Sequence, residues 1–355
     1  MSEAPVLLAV DGNSLVHRSF HAQASTGLRS ASGRPMWAVR GLLMQLTAAV
    51  ERVGAHAVVV GFDDPDRSRR RERWPQYKAA RTDKLETLVE QLVLAAEVLA
   101  ELGVAVVVPP GLEADDVLAS AARLAPGLGA RTVVATSDRD AFPLIDDHTR
   151  VLRILNGGVE ASPMLTADRL ELLLGIRPHQ YRDFAALRGD PSDNLPGVRG
   201  IGPKTAARLL VALGSARAAF DDLADGGRAV VAAVGAGAAR VLGHPAARPA
   251  WELNCQVMRM HDDLPLSLDL RRGPGVLPLG EDTVRRVFTG HQLTASMAAG
   301  LRALCDVHTD SAPVPRRVRT AADGEPPYGS WTGYRPRPIS RRPAQPRPEQ
   351  LSLFD

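Results

Sequence analysis

Valine-rich runs of consecutive apolar residues recur at VLLAV (6–10), AVVVGF (57–62), VAVVV (104–108) and TVVAT (132–136). A strand with one wet face alternates apolar and polar positions, whereas one covered on both faces reads as an unbroken apolar run. Between these runs, GLLMQLTAAVERVG and TLVEQLVLAAEVLAELG place apolar residues at helical spacing, the pattern of one buried stripe. Alternating buried strands and amphipathic helices predict an α/β domain over residues 1–175, with a parallel sheet flanked by helices. From 176 to 265 the pattern becomes short helices broken by glycine turns, such as FAALRG, KTAARLLVALG and AVVAAVGAGAARVLG. Residues 266–308 hold an extended piece, ending the run LPLSLDL, and a last amphipathic helix around EDTVRRVF. Beyond 309, 9 prolines in 47 residues and little apolar periodicity predict a disordered tail.

Three of the four predicted strands run straight into acids. The first delivers Asp11, the second Asp63, and the fourth Asp138 and Asp140. The third is followed by GLEADDVLASAARL, with Glu113, Asp115 and Asp116 in the first turn of a predicted helix. Ligands of open parallel sheets bind beyond the carboxyl ends of the strands, so these acids are expected around one crevice. Asp190 and Asp193 extend the set to nine. Singly, each reads as a helix cap or a solvated loop residue. Their repetition at strand ends is what points to a site. Carboxylates packed so closely repel one another unless cations hold them. Oxygen-only donors select hard ions, Mg2+ or Mn2+, and two such ions can clamp both oxygens of a phosphoryl displacement.

Charge narrows the partner. The chain carries 43 Lys and Arg against 40 Asp and Glu, net +3. Residues 309–355 hold that whole excess, with 8 Arg against 5 acids. Setting the nine clustered acids aside leaves the remaining body at +9, a basic surface around an acidic pocket that suits a polyanion. Of the basic residues only Lys78, Lys84 and Lys204 are lysines, and all three fall in stretches that look functional. Cys255 and Cys305 have no metal spacing, no signal peptide is read at the start, and no uncharged stretch approaches a membrane span. A cytoplasmic protein without disulfides is expected.

Eight basic residues lie between Arg67 and Lys84, with Trp74 and Tyr77 interleaved. Charge with aromatics, Arg70 and Tyr77 included, suits a single-stranded nucleic acid channel; the plainer reading is a solvated linker. In GVRGIGPKTAARLL, Gly197 and Gly202 have P-loop separation, but Pro203 precedes Lys204 and no strand comes before. The stretch reads instead as a turn between helices. Its N–H groups at Gly197, Gly200 and Gly202, with Lys204 and Thr205, would grip a DNA phosphate.

The blocks LLAVDGNSLVHRSFHA, SGRPMWAVRGLL, RERWPQYKAAR, GLEADDVLA, ATSDRDAFPLI and LRGDPSDNLPGVRGIGPKTAARLL, in this order, resemble the 5′-nuclease (flap endonuclease) family over roughly residues 5 to 300. Specifically, they resemble the 5′–3′ exonuclease domain of bacterial DNA polymerase I, here expected as a stand-alone protein. The resemblance implies a PIN-like fold with a helix–hairpin–helix subdomain at 176–265. It implies one metal site around Asp11, Asp63, Glu113, Asp115 and Asp116, and a second of Asp140, Asp190 and Asp193, with Asp138 between. It also implies an arch about 64–90 whose Lys78 and Arg81 reach the scissile phosphate, and a K+ ion at the glycine turn. Ser137, Arg139, Pro143 and Leu144 depart from the usual family residues, as do Arg40 and Leu42, without touching the acids.

The chain ends with Gln350, Leu351, Ser352, Leu353 and Phe354, which resembles the pentapeptide that binds the bacterial sliding clamp. A tethered motif with apolar anchors suits a hydrophobic pocket. The expected function is a monomeric two-metal 5′–3′ exonuclease and 5′-flap endonuclease acting on DNA in replication or repair. The rivals are a catalytically weak, clamp-recruited adaptor and a PIN-like ribonuclease.

Overall fold

A computed structural model describes residues 4–81 and 84–306. The tail from 309 and its terminal pentapeptide therefore lie outside the described residues. The four expected strands form as β1 (Val6–Asp11), β2 (Ala57–Gly61), β3 (Ala105–Val107) and β4 (Arg131–Thr136). Two more follow, β5 (Thr149–Arg153) and β6 (Met164–Leu165). The sheet order is β3-β2-β1-β4-β5-β6, parallel throughout except for β6. β1 is central, and all six of its residues are buried.

Side chains alternate across a strand, so each apolar run feeds two cores. Leu8 and Val10 of β1 join Val58 and Val60 of β2 on one face, while Leu7 and Ala9 join Ala57 and Val59 on the other. The first face is covered by α1 (Gly12–Gln23), α2 (Trp37–Val53) and α4 (Glu86–Glu101); the short α3 (Arg69–Arg73) lies between α2 and α4 in the chain. The second face is covered by α5 (Ala114–Leu124), α6 (Ala167–Leu174) and α7 (Tyr181–Arg188). Its core runs on through α8 (Pro203–Leu213), α9 (Ala216–Ala224), α10 (Arg228–Leu242) and α11 (Ala247–Val257). The helical region expected at 176–265 thus shares its apolar core with the sheet.

The last segment is also tied in. α12 (Glu281–Gly290) matches the expected amphipathic helix, and α13 (Met297–Cys305) was not anticipated. Val284, Phe288 and Leu304 complete the core beneath α2. No single helix among the described residues is long and apolar enough to cross a membrane.

One close approach fixes the junction to the helical region. β7 (Gly189–Asp190) and β8 (Leu195–Pro196) form a tight antiparallel pair just after α7. A Cβ on Gly197 would fall 2.3 Å from the Arg188 carbonyl oxygen, and one on Gly189 would fall 2.3 Å from the Gly197 nitrogen. Gly189 also has φ of 83°, in the left-handed region. These two glycines let Asp190 and Asp193 swing back toward the sheet.

Candidate active site

The carboxyl ends of β1, β2 and β4 and the start of α5 open on one crevice of about 600 Å³. Six of the nine expected acids line it: Asp11, Asp63, Glu113, Asp115, Asp138 and Asp193. Asp11 ends β1 and caps α1, accepting from the Ser14 N–H at 2.9 Å and the Thr136 hydroxyl at 2.7 Å. Asp63 accepts from Asn13 Nδ2 at 2.8 Å and the Ala114 N–H at 3.0 Å. Sheet register therefore sets the spacing of these two acids. Asp138 accepts the Asp140 N–H at 3.0 Å, and Asp190 accepts from the Ser192 N–H at 2.9 Å. Asp140 and Asp190 are not among the residues that line the crevice, but Asp140 raises Asp115 and Asp190 raises Asp193 electrostatically.

The acids strain against each other. Burial first, and then Asp63 and Asp138, push the Asp11 carboxyl up to about 7 against the Ser14 and Thr136 hydrogen bonds. Burial and Asp138, Asp193 and Asp190 push Asp140 up to about 8. Asp115 is raised well above the usual range by burial, Asp11, Asp138 and Asp140. A set of desolvated oxygen donors with unbalanced negative charge fits hard divalent cations. Among the described residues no three His, Cys, Asp or Glu side chains are already arranged to hold an ion. The carboxylates thus ring the crevice rather than meeting at a point.

This repulsion gives a pH prediction. Asp11 and Asp140 keep protons in the folded chain that the unfolded chain releases near pH 4, so metal-free stability falls as pH rises from about 4 to about 8. Magnesium would replace those protons, and a ligand at about 100 times its dissociation constant adds about 2.7 kcal/mol. Melting curves should show a larger magnesium-induced rise at pH 8.5 than at pH 5. Equal rises at both would exclude this electrostatic account.

Asp116 requires a correction. It is fully buried, and all its accepting directions are taken inside the protein. Arg70 grips it with Nη2 at 2.7 Å and Nη1 at 3.0 Å, while the His261 N–H at 2.8 Å and the Glu113 N–H at 3.0 Å complete the shell. It does not line the crevice, and its oxygens are already held by Arg70 and two backbone N–H groups, unlike those expected of a metal donor. Arg70, expected to bind DNA, is equally committed. It is 6% exposed and also donates to Glu113 at 3.0 Å and to the carbonyls of Val257 and Arg259. Tyr77, expected to stack on bases, is 5% exposed and donates its hydroxyl to Glu113 at 3.1 Å. Arg70 and Tyr77 thus tie the segment around α3 to α5 and the end of α11.

Lys78 and Arg81 do reach the crevice. Lys78 Nζ lies 3.0 Å from Glu113, and Arg81 Nη2 lies 2.5 Å from Asp193. Burial would raise Glu113, but Lys78 and Arg70 reverse this and hold it below the usual carboxylate range. Lys78 adopts φ of 55°, a left-handed conformation costly for a side-chain-bearing residue, and its N–H donates to the Asp193 carbonyl at 2.9 Å. Both cations rest on the acids.

At the glycine turn, Gly200, Gly202 and Lys204 are exposed and Thr205 is half-buried. The Ile201 N–H closes the turn on the Val198 carbonyl at 2.9 Å. Gly197 is half-buried, with the Arg188 backbone packed against its Cα. The sequence reading missed Arg18, which lines the crevice from α1 and donates to Asn156 at 2.8 Å. Ser14, His17, Arg18 and His21 share one face of α1, a helical spacing that follows directly from Asp11. Burial, then Lys84 and His21, lower His17 to about 4, so it is neutral near pH 7.

The description 5′–3′ exonuclease, N-terminal resolvase-like domain, matches residues 6–171, and 5′–3′ exonuclease, C-terminal SAM fold, matches residues 176–274. The thermostable DNA polymerase I of Thermus aquaticus is 34% identical over 328 residues, 92% of this chain and 36% of that protein. The chain spans between 24% and 37% of the length of the curated relatives it matches. Among solved structures, the T5 5′-exonuclease with bound zinc ions superposes with a TM-score of 0.51 at 20% identity, covering 72% of this chain and 100% of that one. Flap endonuclease-1 from Methanococcus jannaschii superposes with a TM-score of 0.53 at 15% identity, covering 85% and 93%. Both share the fold, a helix-flanked parallel sheet with a C-terminal helical region.

Proposed function

The chain belongs to the 5′–3′ exonuclease family, and on that premise we propose that it is a divalent-metal-dependent nuclease that hydrolyses DNA phosphodiesters from 5′ ends and at 5′ flaps. The observation that carries this reading is the crevice, where a floor of desolvated, mutually repelling acids meets the cations Lys78, Arg81 and Arg18. Asp11, Asp63 and Asp115 would hold one ion, and Asp140, Asp190 and Asp193 a second, with Asp138 between them. Such ions, Mg2+ or Mn2+, supply a strong oxygen nucleophile and polarise the phosphoryl group. The chain's own part is to place the phosphate. Lys78 and Arg81 leave Glu113 and Asp193 for the incoming phosphate and stabilise charge that develops on it. Zinc in the T5 5′-exonuclease structure supports divalent metal at this fold.

The exposed turn at Gly200, Gly202, Lys204 and Thr205 would hold the duplex by its backbone, with K+ as a helper ion. The test is a labelled 5′-flap duplex with magnesium, matched against the same mixture with chelator. We expect shortened 5′ products only with metal; metal-independent cutting, or none, would remove this reading. The terminal Gln350, Leu351, Leu353 and Phe354 would recruit a monomeric, cytoplasmic and nucleoid-associated enzyme to the bacterial sliding clamp. Deleting 350–355 should abolish clamp binding in a pull-down and leave cleavage of free flaps unchanged, and clamp binding that survives the deletion would refute this role.

A further inference from the structure

Two segments of the crevice wall are laced together by neutral hydrogen bonds. One is the end of β1 with the first turn of α1, carrying Asp11 and Ser14. The other is the end of β4 with the loop after it, carrying Thr136, Ser137 and Asp138. Asp11, Ser14, Ser137 and Asp138 all line the crevice. In the first rung the Thr136 hydroxyl donates to Asp11 at 2.7 Å and accepts the Asp138 N–H at 3.0 Å. In the second, the Ser14 hydroxyl oxygen accepts the Ser137 N–H at 3.0 Å and meets the Ser137 hydroxyl at 2.5 Å. Ser14 follows Asp11 by three residues and gives its own N–H to that carboxylate, so both rungs start from one helix end.

The Asp138 loop needs such a hold. Asp138 is exposed, and among the described residues its carboxylate accepts only the Asp140 N–H, from its own loop. It also repels Asp11, Asp115 and Asp140. Like charges drive the loop away from the other acids, and bonds between uncharged groups oppose that drift. The two rungs differ in depth. Thr136 is fully buried, so its rung belongs to the core of the sheet. Ser14 and Ser137 are half-buried in the crevice wall, so the second rung can be cut without opening the core.

We propose that Ser14 and Ser137 form a hydroxyl clip that fixes the Asp138 loop against the start of α1, and so sets the spacing of Asp11 and Asp138 for a divalent cation. Both serines act through Asp138, as positioning residues. Removing a group that orients a metal-binding side chain typically costs about 10- to 100-fold in metal affinity or activity. The proposal rests on the nuclease reading above.

The test combines calorimetric titration of the DNA-free protein with magnesium, melting curves in chelator, and flap cleavage at saturating magnesium. Ser14→Ala removes both contacts of the second rung. It should weaken magnesium binding about tenfold and lower kcat about tenfold, with KM for the flap unchanged. Its melting temperature in chelator should stay level, because freeing a repelled loop offsets the lost hydrogen bonds. Ser137→Ala keeps the N–H bond to Ser14 and should lose only a few-fold, and Ser14→Thr should restore wild-type magnesium affinity. A loss that comes with a lower melting temperature in chelator, or that Ser14→Thr fails to recover, overturns the clip. A wild type that binds magnesium and cuts while Ser14→Ala matches it overturns the clip alone. A wild type that binds magnesium without cutting overturns the nuclease reading, and the magnesium affinity of Ser14→Ala then decides the clip. A wild type that neither binds magnesium nor cuts overturns both together.

Discussion

Arg70→Met should lower the unfolding free energy by roughly 3–5 kcal/mol, because it strands a buried charge. The loss arises at Asp116, which is 0% exposed and keeps only two backbone N–H donors once the guanidinium is gone. Glu113 loses a donor in the same step, and so do the carbonyls of Val257 and Arg259. Denaturant midpoints measure the loss. Adding Asp116→Asn removes the stranded charge and should recover part of it, a non-additivity expected of contacting groups. Asp116→Asn alone should leave the magnesium-induced melting shift unchanged, since this carboxylate faces Arg70. A reduced shift would return Asp116 to the list of metal donors.

Asp138→Asn should slow magnesium-dependent flap cleavage about 10³-fold, equivalent to about 4 kcal/mol of barrier. Asp138 raises Asp11 and Asp115 on one side and Asp140 on the other, so it is the carboxylate that joins both halves of the cluster. Asparagine keeps the acceptor for the Asp140 N–H and loses only the charge. With chelator present, the variant should melt at or above the wild-type temperature, because one repelling charge has gone. A variant that cuts at the wild-type rate would mean Asp138 has no part in the chemistry. One that is slow and also unstable would mean the loss is structural.

The four main strands were legible as runs of apolar residues, of which β1, β2 and β4 are buried while the edge strand β3 is half-buried. β5 and β6 were not. TRVLR alternates and carries two arginines, and Met164–Leu165 is too short to show a period. α13 was hidden because it packs on α2, far away in the chain, as well as on α12. The strand-end acids were legible because a parallel sheet delivers the ends of its strands to one edge.

By itself the sequence determined the four main strands, most of the helices that flank them and the edge where acids would gather, since burial and backbone periodicity are local. Only the tertiary structure decided what each acid faces. Asp115 and Asp116 are neighbours in the first turn of α5, yet about 100° of helical rotation separates their side chains. One looks into the crevice; the other looks at Arg70, brought there by α3 from 46 residues away. Local pattern places a carboxylate on an element. The charge that meets it comes from a distant part of the chain, and no local signal records that.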